Sequence, residues 1–233
     1  MDQFHQLLDH QKGGRVLTQP TRPIRAARRR APSRGFSLIE LMVGVTLLAI
    51  ALTMAAPSFS EWIRNTQIRS TAESLQNGLQ FARAEAVRRN TAVRFQLTSS
   101  LDNACVLSTT GTSWVVNLTS STSPATQCAT ALSDSTTPFL LQLSPTVTTA
   151  SSISMTASQS AVSFNGLGRQ VATTNPALNV ATLTIQVGSS QGSCLAGGGT
   201  LRCLNVMVMP AGQIRMCDPS LTSTTTNNDA MAC

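Results

Sequence analysis

Past position 35 the chain contains no histidine, lysine or tyrosine, so its reactive groups are eight carboxylates, nine arginines and six cysteines. General acid–base catalysis most often uses histidine; both histidines, His5 and His10, lie in the first 35 residues. No Ser-His-Asp set, HExxH motif or phosphate-binding glycine loop can be assembled from the remainder. An enzyme is not expected, and no cofactor is implied. One carboxylate is placed unusually. Glu40 is the single charge between Phe36 and Ala56, an otherwise apolar run that follows Gly35 directly. A bilayer core needs about 20 apolar residues in a helix, and this run has that length. An ionised side chain in such a helix costs roughly 2.5–3.5 kcal/mol even on the gentler scales, so Glu40 is a functional candidate by default.

Cys105, Cys128, Cys194, Cys203, Cys217 and Cys233 all lie beyond the apolar run. An even number in an exported domain reads as disulfides. Many connectivities are open; sequential pairing, Cys105–Cys128, Cys194–Cys203 and Cys217–Cys233, is expected, each pair closing a local loop rich in Gly, Ser, Thr or Asn. Closing a loop of about 15 residues contributes roughly 3 kcal/mol on the chain-entropy account. A zinc site needs close CxxC spacing or histidine partners, and neither occurs. The last pair would pin a tail, 218–232, with few apolar groups of its own.

The formal charge of +7 is concentrated at the start. Residues 1–35 hold eight basic side chains against Asp2 and Asp9, a net +6, and the remainder is +1. Positive residues beside a span favour the cytoplasmic side. The N-terminus is therefore expected inside and the bulk of the chain outside. An ordinary secretory signal would be cut after its apolar stretch; an ordinary signal anchor with an isolated glutamate is the competing reading.

The stretch Gly35-Phe36-Ser37-Leu38-Ile39-Glu40-Leu41 resembles the class III signal of type IV pilins and pseudopilins. That resemblance implies cleavage between Gly35 and Phe36 by a prepilin peptidase and N-methylation of Phe36. It implies that Glu40 attracts a neighbouring subunit's terminal amine during assembly, and that Pro57 kinks the helix. Residues 1–35 would be a removed basic leader. It is long for such a signal, so a later start codon is an open alternative.

After Pro57, Ile68, Ala72, Leu75, Leu79, Ala82 and Ala86 recur at steps of four and three, the buried stripe of an amphipathic helix. Arg69 and Glu73 can pair at i,i+4 on another face. A helix from about Phe36 to Arg89 would measure roughly 80 Å at about 1.5 Å per residue. The segment from Ala72 through Arg83-Ala84-Glu85-Ala86-Val87-Arg88-Arg89-Asn90 to Val93 is similar to the GspH/FimT branch of pseudopilins and minor pilins. Val162-Ser163-Phe164-Asn165-Gly166-Leu167-Gly168-Arg169 echoes a strand and turn of that branch.

From Thr91 the chain is rich in Ser, Thr and β-branched residues. Strands are expected at Val93–Leu97, Ala104–Leu107, Trp114–Leu118, Phe139–Leu143, Ala161–Asn165, Val180–Val187, Leu204–Met209 and Gln213–Cys217. The polar region 144–160 reads as a long loop. The expected fold is α+β: a long N-terminal helix whose first half spans the membrane, packed on a small β-rich, disulfide-containing C-terminal domain. The division is a leader at 1–35, a transmembrane or filament-core helix at 36–56, its amphipathic continuation at 57–90 and a periplasmic or extracellular β-rich domain at 91–233.

The resemblance implies a minor pilin or pseudopilin, a structural subunit of a type IV pilus or related filament acting in assembly or priming. Its partners would be prepilin peptidase, other pilins and the bacterial inner membrane. The protein would cross that membrane once, with its C-terminal domain periplasmic, before joining a filament. Roles in twitching and adhesion, and service as a type II secretion pseudopilin, are variants. DNA uptake is the alternative. Some related minor pilins carry a GRxR motif; here Gly212-Gln213-Ile214-Arg215 keeps only Arg215, with Arg169 and Arg202 as candidate neighbours. Non-specific DNA affinity comes chiefly from neutralised phosphates, and three arginines on a nearly neutral chain make a thin footprint.

Overall fold

The computed structural model describes residues 35–120, 123–145, 152–221 and 229–233, with the backbone alone at 54–57. The expected leader lies outside the described residues apart from Gly35. Helix α1 spans Leu38–Arg89 and is continuous through Pro57. Its end is set by Asn90, which takes the left-handed conformation at φ 48°. The Asn90 and Thr91 N–H groups donate to the carbonyls of Val87 and Ala86, a closure typical of helix C-termini. Two residues later the chain enters the first strand.

Ten strands follow among the described residues: β1 Val93–Thr98, β2 Ser113–Leu118, β3 Leu140–Leu143, β4 Ile153–Ala157, β5 Ala161–Phe164, β6 Thr173–Thr174, β7 Ala177–Leu178, β8 Leu183–Ser189, β9 Leu204–Val208 and β10 Ile214–Cys217. They form two four-stranded antiparallel sheets, ordered β3-β2-β1-β5 and β10-β9-β8-β4, and the small hairpin β6-β7.

The stripe Ile68, Ala72, Leu75, Leu79, Ala82 and Ala86 is 0% exposed at every position. It shares one core with Phe95, Trp114 and Phe164 of the first sheet and with Met155, Ile185 and Val206 of the second. Gly78 faces the Trp114 indole, where an added Cβ would come within 2.7 Å of a ring carbon. The glycine thus lets the indole lie against the helix, where it also stacks on Phe95 at 5.4 Å between centroids. On β8, Leu183, Ile185 and Val187 are buried and Gln186 is exposed, which is the period-two pattern of a half-covered strand. Arg69 pairs with Glu73 at 3.0 Å.

Three expectations are corrected. Ala104–Leu107 is not a strand: Leu107 forms an isolated bridge to Thr98. A local turn holds this segment, with the Asp102 carboxylate accepting from Ala104 N–H at 2.8 Å. The region 144–160 is not a loop throughout, because β4 lies in it with Ile153, Met155 and Ala157 buried and Ser154 and Thr156 exposed. The expected strand at Val180–Val187 begins instead at Leu183 and runs on to Ser189, where Ile153 pairs with it.

The disulfides are Cys105–Cys128, Cys194–Cys203 and Cys217–Cys233. The first, with Val115 and Leu140, forms a small satellite core on the first sheet.

Candidate functional site

Residues 35–53 are exposed at every position, although most are apolar. Phe36 is 82% exposed, and Leu38, Ile39 and Leu41 are likewise open. An 18-residue window of α1 is apolar enough to cross a membrane and none of it is buried. Apolar patches of this extent on a soluble surface mark a lipid or protein contact. Glu40 lies in the first turn of α1, where a negative charge complements the positive end of the helix dipole. Ser37 starts the helix, its carbonyl accepting from Leu41 N–H at 3.1 Å. A Cβ at Gly35 would meet nothing within 4 Å. The fold therefore has no steric need for glycine at that position.

The end of α1 carries a network of linked ion pairs. Glu85 accepts from Arg88 and Arg89, each at 2.7 Å at its shortest, and Arg89 reaches on to Asp134 at 3.1 Å. The Arg88 and Arg89 guanidiniums hold the Glu85 carboxyl at about 2, below its ordinary 4.5, against the opposing effect of burial. The Asn165–Arg169 turn docks beside it: Arg83 donates to the Gly168 carbonyl at 3.0 Å. Gly166 sits so close to Asn90 that a Cβ would fall 2.3 Å from the amide oxygen. This cluster ties the helix end to the β-rich region, and nothing in it resembles a catalytic set.

The structure does not gather the three candidate DNA-binding arginines. Arg169 lies beside Pro210, whose carbonyl accepts from Gln170 N–H at 3.1 Å. Arg202 lies at the opposite end of β9, its N–H donating to Asn65 Oδ1 at 2.9 Å. The extended chain between those ends spans roughly 25 Å at about 3.3 Å per residue. Arg215, on β10 opposite Met207, donates from Nη2 to the Cys233 carbonyl at 3.1 Å. Its side chain thus holds the C-terminal segment alongside the Cys217–Cys233 disulfide.

Two features were not picked out by sequence reasoning. Arg94 on β1 is 1% exposed and donates to Asn117 Oδ1 and to the Asn175 carbonyl. Gln96 also donates to Asn117 Oδ1, at 2.9 Å, and accepts from Ser123 at 2.8 Å. Burial pushes the Arg94 guanidinium down to about 10. Alternation along β1 would put these polar side chains in solvent, but the chain around residues 119 and 173–175 covers that face. The second feature is a groove beside Trp62. It joins α1 to β9, β10 and the C-terminal segment, elements too far apart in the sequence to be linked by pattern. Among the described residues no group of three or more His, Cys, Asp or Glu could hold a metal ion.

Two family models match the chain. One, described as type II transport protein GspH, matches residues 71–212. The other, the prokaryotic N-terminal methylation motif, matches residues 30–56. No curated protein matches. Among solved structures the chain is similar to two crystal forms of the type IV minor pilin FimU of Pseudomonas aeruginosa, each at 18% identity. The first covers 65% of this chain and 88% of that one at a TM-score of 0.41. The second covers 64% and 90% at 0.37.

Proposed function

Because the chain belongs to the GspH family of type II transport proteins and carries the prokaryotic N-terminal methylation motif, we propose that it is a minor pilin or pseudopilin that works as a filament subunit. Cleavage falls between Gly35 and Phe36, and Phe36 becomes the methylated N-terminus. The freed segment anchors the protein in the inner membrane, with the β-rich domain on the periplasmic side. It then supplies the apolar contact when the subunit enters a filament. Other pilins or pseudopilins are the partners, and no catalytic step is assigned to the chain.

The observation that carries this reading is the wholly exposed apolar start of α1 with Glu40 in its first turn. A lone carboxylate in lipid is tolerated when a positive group neutralises it. The amine released on a neighbour's Phe36 has the right charge and lies at the right end of the same segment. Gly35, where an added Cβ would meet nothing within 4 Å, supports recognition by a peptidase rather than a packing role. The test is Glu40→Ala in the full chain. The variant is expected to accumulate in the membrane and to be depleted from sheared filaments. Normal incorporation would refute the role of Glu40.

The family's description favours the secretion variant over a pilus. Deleting the gene and scoring secretion, surface piliation and twitching separates the two. For DNA uptake, the separation of Arg169 from Arg202 and the engagement of Arg215 with Cys233 argue for weak or no binding. Salt-sensitive micromolar binding lost on Arg215→Gln would reverse that.

A further inference from the structure

Leu167 stands at the tip of the Asn165–Arg169 turn and is 79% exposed, as open as Leu38 of the apolar span at 78%. A single leucine in solvent is ordinary. Leu167 differs in how its backbone is held. The Asn165 side-chain oxygen accepts from the N–H groups of Leu167 and Arg169 at 3.0 and 3.1 Å. The Asn165 N–H donates to the Arg169 carbonyl at 2.9 Å and closes the turn. Gly166 lies against Asn90 at the helix end, and Arg83 donates to the Gly168 carbonyl at 3.0 Å. From the β9–β10 connection, Gly212 packs on that same carbonyl so closely that a Cβ there would fall 1.8 Å from it. Gly168 itself takes φ 71°, a region that glycine enters without steric cost. The helix and the second sheet thus fix a turn whose leucine contributes almost nothing to the core.

The neighbours of Leu167 are apolar or positive. A Cβ at Gly168 would lie 3.2 Å from Val87 Cγ2 and 3.1 Å from Arg83 Nε. Val87 is 51% exposed, so valine and leucine form one small apolar projection. Arg83 and Arg169 flank it, and both are exposed. Neither makes an ion pair among the described residues. The Glu85 carboxylate on this turn of α1 is already held by Arg88 and Arg89. These features narrow what can cover the projection. The helix from Ala56 to Val87 rises about 46 Å at about 1.5 Å per residue, well past the headgroup layer of a bilayer crossed by residues 36–56. A phosphate backbone would meet the arginines and leave Leu167 and Val87 without an apolar contact. In a second copy, the apolar groove beside Trp62 is edged by the exposed Arg69 and Arg202, and its Asp218 is only 4% exposed. Arginine would there face arginine.

We propose that Leu167 is a preformed anchor that docks in an apolar socket edged by carboxylates on a different subunit of the same filament. Leu167 and Val87 supply the apolar contact. Arg83 and Arg169 meet the carboxylates, in the planar, forked geometry that guanidinium groups favour. Opposite charge at the rim steers the approach and rejects basic partners, including a second copy of this chain. Because the turn is already fixed on the helix and the second sheet, docking has little chain left to order, which is where binding otherwise loses affinity. The inference rests on the proposed reading that the chain is a filament subunit.

The test uses the full chain in its own host, with the photo-crosslinker p-benzoylphenylalanine in place of Leu167. The exposure of that side chain leaves the fold undisturbed. After illumination, crosslinked peptides from membranes and sheared filaments are sequenced. The same group in place of Leu195, 40% exposed beside the Cys194–Cys203 disulfide, controls for crowding in the filament. The expected product joins position 167 to one other subunit bearing the N-terminal methylation motif, at an apolar segment next to Asp or Glu, and position 195 gives no such product. Arg169 enters the turn through its backbone, so Arg169→Glu keeps the turn; it is expected to lower the yield about tenfold. Changing the contacted carboxylate of the other subunit to arginine is expected to restore it. Filaments that contain the chain but give no product at 167, or an equal product at 195, would overturn the proposal and leave the filament reading intact. A product joining two copies of this chain, or joining it to nucleic acid or lipid, would also overturn the proposal. A yield indifferent to Arg169→Glu would overturn the charge pairing. Absence of the chain from filaments would overturn the proposal and the filament reading together.

Discussion

The two halves of α1 are built from the same apolar residue types and meet opposite environments. In the first, Leu38, Leu41, Leu47 and Leu52 are all more than half exposed. In the second, Leu75 and Leu79 are fully enclosed. What differs is arrangement. Residues 36–56 are apolar on every face, which no single layer of protein could cover. Residues 68–86 confine their apolar groups to one stripe, which two sheets cover completely. An all-round apolar helix needs lipid or several neighbours; a striped one needs a single partner surface, and here the same chain provides it.

Truncating one leucine in each half should break the symmetry of composition most sharply. Leu79→Ala is expected to cost about 2–5 kcal/mol of domain stability, the range for a fully buried leucine. Leu47→Ala should leave that stability within about 0.5 kcal/mol, as surface changes do. Thermal or denaturant unfolding of both variants in detergent measures the contrast.

Reducing the disulfides comes next, because they brace the region that covers the second half alone. Loss of Cys105–Cys128, whose cysteines are 23 positions apart, should cost roughly 3 kcal/mol or more on the loop-entropy account. Unfolding of Cys105→Ser/Cys128→Ala against the oxidised parent reads it.

The glycines sharpen the contrast further. Gly78→Ala drives a methyl into the Trp114 ring and should cost about 1–3 kcal/mol as overpacking. Gly44→Ala meets nothing within 4 Å, and its better helix propensity should be neutral to favourable by up to about 1 kcal/mol.

The smallest effect concerns the helix end. The Glu85 carboxyl is depressed from 4.5 to about 2. Its stabilising contribution is therefore fully present above the unfolded value of 4.5 and is lost as pH falls toward 2. Glu85→Gln should flatten that acid limb in a pH series of melting temperatures and leave the neutral-pH dependence nearly unchanged.

Much of this was legible in the sequence, because some signals are local. The stripe from Ile68 to Ala86 follows from a repeat of 3.6 residues. Most strands stand out as β-branched runs between turns. Strand β4 was missed although Ile153, Met155 and Ala157 alternate with Ser154 and Thr156; the surrounding serine and threonine masked a period of two carried by only three apolar residues. Ala104–Leu107 showed the reverse error, since its apolar residues serve a turn and a disulfide rather than a ladder. Arg94 and the Trp62 groove were not legible at all. Both depend on residues distant in sequence coming together at a face: residues 173–175 over β1, and Met216, Asp218, Leu221 and Met231 beside Trp62.

The central claim is that the exposed first half of α1 is a processed membrane and filament segment that begins at Phe36. Intact-mass measurement of the full protein extracted from membranes tests this most directly. The account predicts a chain starting at Phe36 with one added methyl group, and retention of residues 1–35 in a Gly35→Val variant. A mature chain that starts beyond Ala56, or a wild-type chain that keeps its leader, would contradict it.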